Sequence, residues 1–420
     1  MMLQPTTMPL PHTDAMVQVN SFNTGLAQRL QQRKDEHLYR TRRVLTSPQA
    51  PDVMCGAQPY LSFCSNDYLG LAAHPDVIAA FKQGLDQYGG GSGGSHLVTG
   101  HSASHHALEE ELATFTGRSR ALVFSSGYMA NVGIISCLVG KQDYVFEDRL
   151  NHASLLDGGL FSGAHFNRYP HADLNRLSAL LKNSAGDHLR LIITDGVFSM
   201  DGDVAPLASL LDIAEQQEAI VMMDDAHGFG CLGIHGGGLA EVVREQGYAV
   251  DENRLPILVG TFGKAFGTAG AFVAGSEELI ETLIQFCRPY IYTTALPPAV
   301  AEATRCSLRL LQNEGWRREH LQQLITTFRQ KCSALGLALT NSSTPVQGLL
   351  LGSADTALQI SHQLENQGLL VTAIRPPTVP QGTARLRITF SATHTMAQLQ
   401  RLLDALEELT PHILASGSQP

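Results

Sequence analysis

Lys264 lies in Gly260-Thr-Phe-Gly-Lys-Ala-Phe-Gly267, directly after the apolar run Leu255–Val259. A strand that ends on a lysine between glycines sets an amine at the mouth of a sheet with little bulk around it. Partial desolvation there lowers the amine's pKa and frees the neutral nucleophile, which suits a Schiff base to an aldehyde. Seen alone, the same residue reads first as a plain surface lysine after a strand. Other segments shift the balance.

In Met222-Met-Asp-Asp-Ala-His-Gly228 the short apolar Ala219–Met223 reads as a buried strand, with Asp224 and His227 at its carboxyl end. A buried carboxylate is costly unless it meets a cation, and a protonated pyridinium nitrogen is one. The plain alternative is a capping aspartate and a loop histidine. In Leu122-Val-Phe-Ser-Ser-Gly-Tyr-Met-Ala-Asn131 a strand runs into Ser126-Gly127 and a helix-like stretch follows. Free amides at a helix start bind phosphate, and a glycine lets the chain come close. In Ile192-Ile-Thr-Asp-Gly-Val-Phe-Ser-Met-Asp-Gly-Asp203 a strand precedes a polar turn in which Ser199 can donate a hydrogen bond or cap backbone. Together the segments supply a phosphate cradle, a pyridinium partner, polar donors and a Schiff-base lysine.

The elements that must position these groups alternate. Helical periodicity at 103–116 precedes strands at 120–124, 143–147, 189–194, 219–223, 257–261 and 269–274, with helix-like stretches at 127–139, 173–184 and 206–218 between them. That order predicts an α/β fold: a mostly parallel sheet covered by helices on both faces. Helices follow at 276–287, 297–313 and 316–336. The chain then closes in a smaller α+β unit with strands near 347–351, 369–373 and 384–390 and a helix at 395–409. Residues 21–45 read as a charged helix and the first 20 as a frayed tail. The expected division is 1–58 for tail and helix, 59–295 for a large α/β domain and 296–420 for a small C-terminal domain. Gly89-Gly-Gly-Ser-Gly-Gly-Ser95 matches a dinucleotide fingerprint in letters only, because it follows a helix and not a strand.

Composition narrows the class. The chain is 44% hydrophobic and 16% charged, ordinary for a globular enzyme, and its net charge of −10 argues against a nucleic-acid partner. No segment approaches the roughly 18 apolar residues of a membrane span, and no signal pattern opens the chain, so a cytoplasmic protein without membrane contact is expected. Cys55, Cys64, Cys137, Cys231, Cys287, Cys306 and Cys332 are scattered without a C-x-x-C, as reduced thiols would be. His101 and His105, next to His106, have metal-capable spacing, but no cysteine or further carboxylate completes a set in the sequence, and no metal is expected.

The motifs SNDYLG, GSGGSHLVTG, HALEEELA, NHASLLDG, TDGVFSMDGD, DDAHG, TFGKAFG and YTTALPPA, read in order over residues 25–410, resemble the α-oxoamine synthases. The resemblance implies pyridoxal 5'-phosphate as cofactor and the aspartate aminotransferase-like fold. It also implies an acyltransferase that joins an amino acid to an acyl thioester with loss of carbon dioxide. Within the family, Thr372-Ala-Ile-Arg-Pro-Pro-Thr-Val-Pro-Gln-Gly-Thr-Ala-Arg-Leu-Arg387 points to L-alanine and a pimeloyl thioester, carried on CoA or on acyl carrier protein, as in biotin biosynthesis. A sister reaction, glycine or serine with another acyl-CoA, is the alternative.

At matched positions the resemblance implies roles. Lys264 is the Schiff-base lysine and proton-transfer base, and Asp224 the partner of the pyridinium nitrogen. His227 and Ser199 are donors to the cofactor's phenolic oxygen. His152 stacks on the ring. Gly127, Tyr128 and Thr261 contact the phosphate, and Thr294 reaches a partner subunit's phosphate, which makes a homodimer part of the site. Arg387 holds the amino-acid carboxylate, and Arg40 and Thr378 contact substrate. The chain departs from the family pattern in a longer, glycine-rich 231–255 and an extended N-terminal tail.

Overall fold

The computed structural model describes residues 12–36, 38–184 and 186–417. The chain divides into two units at Thr46/Ser47. The first is the helix His12–Asp35 and the extended chain after it. Residues 12–20 are thus helical, not a frayed tail, while 1–11 lie outside the described residues. The helix also stops ten residues short of the expected 45. Glu36 N and Leu38 N close its end on Gln32 O and Arg33 O. Beyond it Arg40 and Arg43 would repel one another across a further turn.

In the second unit the strands β1 (Asp52–Cys55) and β2 (Gln58–Ser62) form a hairpin. Seven strands follow: β3 (Arg120–Phe124), β4 (Tyr144–Asp148), β5 (His165–Tyr169), β6 (Arg190–Asp195), β7 (Ile220–Asp224), β8 (Ile257–Thr261) and β9 (Ala271–Gly275). They make one sheet in the order β3-β9-β8-β7-β6-β4-β5. Every pairing from β8 to β5 is parallel, and β9 alone runs against its neighbours. The mostly parallel α/β sheet expected from the alternating pattern is therefore present.

Both faces of the sheet are buried, which is why its strands read as continuous apolar runs. Side chains alternate between faces. Ile192, Val221, Met223 and Leu258 join one core cluster, and Leu191, Ile193, Met222 and Val259 join the other. Each fully buried side chain of this size stabilises the fold by about 1.5–3 kcal/mol.

The last third of the chain adds β10 (Val346–Gly352), β11 (Leu369–Leu370), β12 (Thr372–Ile374) and β13 (Ala384–Thr389). Strands β10, β13 and β12 form an antiparallel sheet, while β11 pairs in parallel with β2. The segment after β2 is thereby fastened to the end of the chain: Thr389 N donates to Phe63 O at 2.8 Å and Ala392 N to Tyr68 O at 2.7 Å.

Candidate active site

In a parallel sheet the carboxyl ends of the strands open on one edge, where helix starts and turns converge. Strand β7 ends on Asp224, which is 5% exposed. Its Oδ2 accepts from Asn131 Nδ2 at 2.6 Å and its Oδ1 from Ala226 N at 3.0 Å. The neighbouring strand β6 ends on Asp195, the register partner of Asp224. Burial, reinforced by the charge of Asp224, pushes the Asp195 carboxyl well above its ordinary pKa.

Lys264 follows the end of β8 by three residues and is half-buried; its Nζ donates to Thr261 Oγ1 at 3.4 Å. Burial pulls its pKa down and the Arg387 charge acts in the same sense, against the attraction of Asp224 and Asp195. The desolvated amine expected from the sequence is present.

His227 is buried in the loop after β7, with Nδ1 2.7 Å from Tyr68 Oη. Burial and the charges of Lys264, Arg387 and His152 hold its pKa well below the ordinary value, so its ring is neutral. Burial lifts the Tyr68 hydroxyl to about 12. Tyr68 Oη also donates to Asn66 Oδ1 at 3.2 Å, so the direction of the Oη–Nδ1 bond follows the His227 tautomer. His152 caps the helix Ala153–Ser162, its Nδ1 accepting from Ser154 N at 3.3 Å. Its own amide donates to Asp195 Oδ2 at 2.7 Å. Burial lowers the pKa of His152, with Asp224 opposing.

After β3 the chain turns at Ser126 into the helix Gly127–Leu138. Ser126 Oγ takes the amide of Met129 and Ser126 O that of Ala130, which leaves the Gly127 and Tyr128 amides for an anion. A Cβ at Gly127 would stand 2.6 Å from Thr261 Cγ2, so only glycine admits a ligand between this turn and β8. The Tyr128 side chain is exposed and bonds Asp157. Thr294 is exposed, and its carbonyl accepts from Ser125 Oγ of the same chain at 3.3 Å, one residue from the turn.

Arg387 reaches the cluster from β13. Its Nε donates to Ser199 O at 2.6 Å, and its Nη atoms to Asn66 Oδ1 at 3.3 and 3.2 Å and to Tyr68 Oη at 3.4 Å. Two residues away Arg385 is neutralised by Asp201. Arg387, 8% exposed, meets no carboxylate within 4.0 Å among the described residues, and Asp224 meets no cation. Ser199 is half-buried and contributes its carbonyl here. Thr378 is exposed in a turn closed on Arg375 O, and no described hydrogen bond ties it to the cluster. Arg40 belongs to the N-terminal unit and is exposed.

These groups fit pyridoxal phosphate. A buried carboxylate without a cation suits a pyridinium nitrogen, two spare amides beside a glycine-made gap suit a phosphate, and a desolvated amine suits an aldehyde. A buried guanidinium without a carboxylate suits the carboxylate of an amino acid.

Several residues at the site escaped the sequence reading. Asn131 hydrogen-bonds both Asp224 and Ser154 Oγ, and Ser154 Oγ meets His152 Nδ1 at 2.7 Å. Asn131 lies one helical turn beyond Gly127, a spacing that could have raised it. Asn66, Tyr68 and Asp195 stand inside quoted motifs without a role, and their partners are far off in sequence. Asp225 is the least obvious. Gly196, Gly228 and Gly238 all press against its carboxylate, one oxygen of which takes Leu239 N at 2.6 Å and so starts the helix Gly238–Glu245.

Away from this edge, His96 joins the histidines noted in the sequence. His96, His101 and His105 gather within 4.8 Å, as do His101, His106 and Glu109, so the structure supplies a carboxylate that the linear spacing hid. His105 has both nitrogens engaged, by Ser102 N at 3.0 Å and Leu296 O at 2.6 Å.

The chain belongs to the class I and II aminotransferase family, whose model matches residues 58–406. Within that class it groups with the 8-amino-7-oxononanoate synthases. It is 61% identical to the synthase of Stutzerimonas stutzeri over 91% of this chain and 96% of that one. It is 59% identical to the synthase of Cellvibrio japonicus, over 91% and 95%. Among solved structures, serine palmitoyltransferase of Sphingomonas wittichii superposes with a TM-score of 0.86 at 32% identity, covering 95% of this chain and 99% of that one. The 8-amino-7-oxononanoate synthase of Francisella tularensis superposes with a TM-score of 0.73 at 34% identity, covering 84% and 98%.

Proposed function

We propose that the chain condenses L-alanine with a pimeloyl thioester, on CoA or acyl carrier protein, releasing carbon dioxide and free thiol and forming 8-amino-7-oxononanoate for biotin biosynthesis. The chain works as a cytoplasmic homodimer in this reading. No described helix is long and apolar enough to cross a membrane. The observation that carries the chemistry is the convergence of a desolvated Lys264, an unpaired Asp224 and an unpaired Arg387 on one sheet edge. Identity near 60% with synthases of this name supports the substrate pair.

Pyridoxal phosphate, when bound, supplies an electron sink for the α-carbon of the amino acid. Lys264 Nζ would hold it through its aldehyde carbon, Asp224 through its ring nitrogen, and the Gly127 and Tyr128 amides with Thr261 through its phosphate. Neutral His227 and the Ser199 hydroxyl would hydrogen-bond the phenolic oxygen. Thr294 contributes to a phosphate across the subunit boundary.

Arg387 binds the alanine carboxylate and so fixes which bond of the α-carbon faces Lys264. Lys264 Nζ, once free, takes the α-proton and later returns one to the same carbon; burial lowers its pKa and so favours the neutral base. His152, neutral with its proton on Nε2, packs on the ring and offers that proton to the thioester carbonyl. Arg40 and Thr378 are the further positions that the resemblance assigns to substrate contact.

The deciding experiment is thiol release from pimeloyl-CoA by the cofactor-loaded protein with L-alanine, glycine, L-serine or no amino acid, with the product identified by mass. Release that requires L-alanine and yields the decarboxylated amino ketone is expected. Release only with serine or glycine and another acyl-CoA would move the chain to a sister synthase.

A further inference from the structure

Two residues beyond β5, His171 is held between two carboxylates. Its Nδ1 lies 3.1 Å from both oxygens of Asp148, and its Nε2 lies 2.7 Å from Asp203 Oδ2. Ionised carboxylates only accept, so each ring nitrogen must carry a hydrogen and the ring is an imidazolium. Burial opposes that charge, but the two carboxylates outweigh it and raise the pKa to about 10. Among the described residues no other charged side chain hydrogen-bonds the ring.

The two acidic residues belong to different loops of the site. Asp148 accepts from Leu150 N at 2.8 Å and from Ala172 N at 2.8 Å, which folds the turn leading into His152. Asp203 closes the turn 198–203: its carbonyl accepts from Phe198 N at 2.9 Å, and Gly202 N donates back to Phe198 O at 2.7 Å. Ser199 rides on that turn, and its carbonyl anchors Arg387 Nε. The His171 ring also stands edge-on to Phe198, with centroids 4.4 Å apart.

We propose that His171 is a positioning residue, a fixed imidazolium that joins the His152 turn to the Ser199 turn and thereby holds Arg387 at the angle that receives an amino-acid carboxylate. The kinetic half of this inference rests on the role given above to Arg387; the protonation half does not.

The test uses the cofactor-loaded enzyme labelled with 15N-histidine. His171 is assigned by comparison with His171→Gln, or with Asp203→Asn should that variant fold poorly. Two protonated ring nitrogens at pH 8 are expected, and a neutral ring at that pH would overturn the proposal. In the kinetic arm, His171→Gln should raise the KM for L-alanine about tenfold, with kcat within about threefold and the KM for the pimeloyl thioester unchanged. Adding Asp203→Asn to His171→Gln should restore part of the loss, because it relieves two carboxylates left facing each other. An unchanged alanine KM, or equal rises for both substrates, overturns the positioning role. A wild-type enzyme inactive with alanine and pimeloyl thioester would instead remove the functional reading, leaving the 15N result to decide the charge on His171.

Discussion

Asp195 and Asp224 are Cα partners at the ends of adjacent parallel strands, both buried, and one of them is pushed toward its protonated form. Asp195 therefore binds a proton more tightly in the folded chain than in the unfolded one. Its stability contribution is complete below the unfolded pKa of about 4 and is lost as pH rises through the folded value. Asp195→Asn mimics the protonated state. Melts of the cofactor-free protein should show the variant gaining on wild type as pH rises above the unfolded pKa of about 4. A gap that stays flat would refute the assignment.

Lys264→Ala removes both the amine that holds the cofactor and the base. Turnover measured by thiol release should fall by about 10³-fold or more, with the circular dichroism spectrum unchanged. Activity within tenfold of wild type would sink the proposed role.

Arg387→Lys keeps the charge but loses the planar fork. The kcat/KM for L-alanine should drop about 10- to 100-fold, with a smaller change for the acyl donor. Equal losses for both substrates would mean that Arg387 supports the fold and does not receive the carboxylate.

Gly127→Ala should weaken cofactor binding about tenfold or more, because the new methyl group meets Thr261 Cγ2. Thr261→Ser removes that carbon and keeps the hydroxyl, so the double variant should recover affinity in an absorbance titration. No recovery would place the damage in the helix start itself.

Tyr68→Phe leaves buried His227 Nδ1 without its hydrogen-bond partner. A loss of about 1–3 kcal/mol in urea unfolding, alongside weaker cofactor binding, is expected. An unchanged midpoint would mean that water replaces the hydroxyl.

The parts of this architecture that local pattern dictates were legible in the sequence. The strands 120–124 and 257–261 and the helix 103–116 coincide with the structure, and the strand ends carry Asp224 and Lys264 to one edge as expected. The helix Ala153–Ser162 was not read, because Gly158-Gly159 weakens helix propensity. Those glycines are there for space, since a Cβ on them would strike Ile135 and Phe166. Asn66 and Tyr68 went unassigned for another reason. Their partners are Arg387 and His227, hundreds of positions away, and no periodicity reports such a distance. Asp225 carries no local signal, because the three glycines packed on it are adjacent only after folding.

The fastening of residues 63–68 onto 387–392 sets an order of events as the chain leaves the ribosome. Ser391 Oγ bonds Asp67 O at 2.7 Å, and Arg387 meets Asn66 from the same strand. The sheet from β3 to β9 is translated before β13, and Tyr68 and Arg387 meet only when β13 emerges. A nascent chain therefore carries the lysine edge for some time without the guanidinium that would align an amino acid on it. Translation halted before residue 387 yields a chain that lacks the means to choose which α-carbon bond is broken.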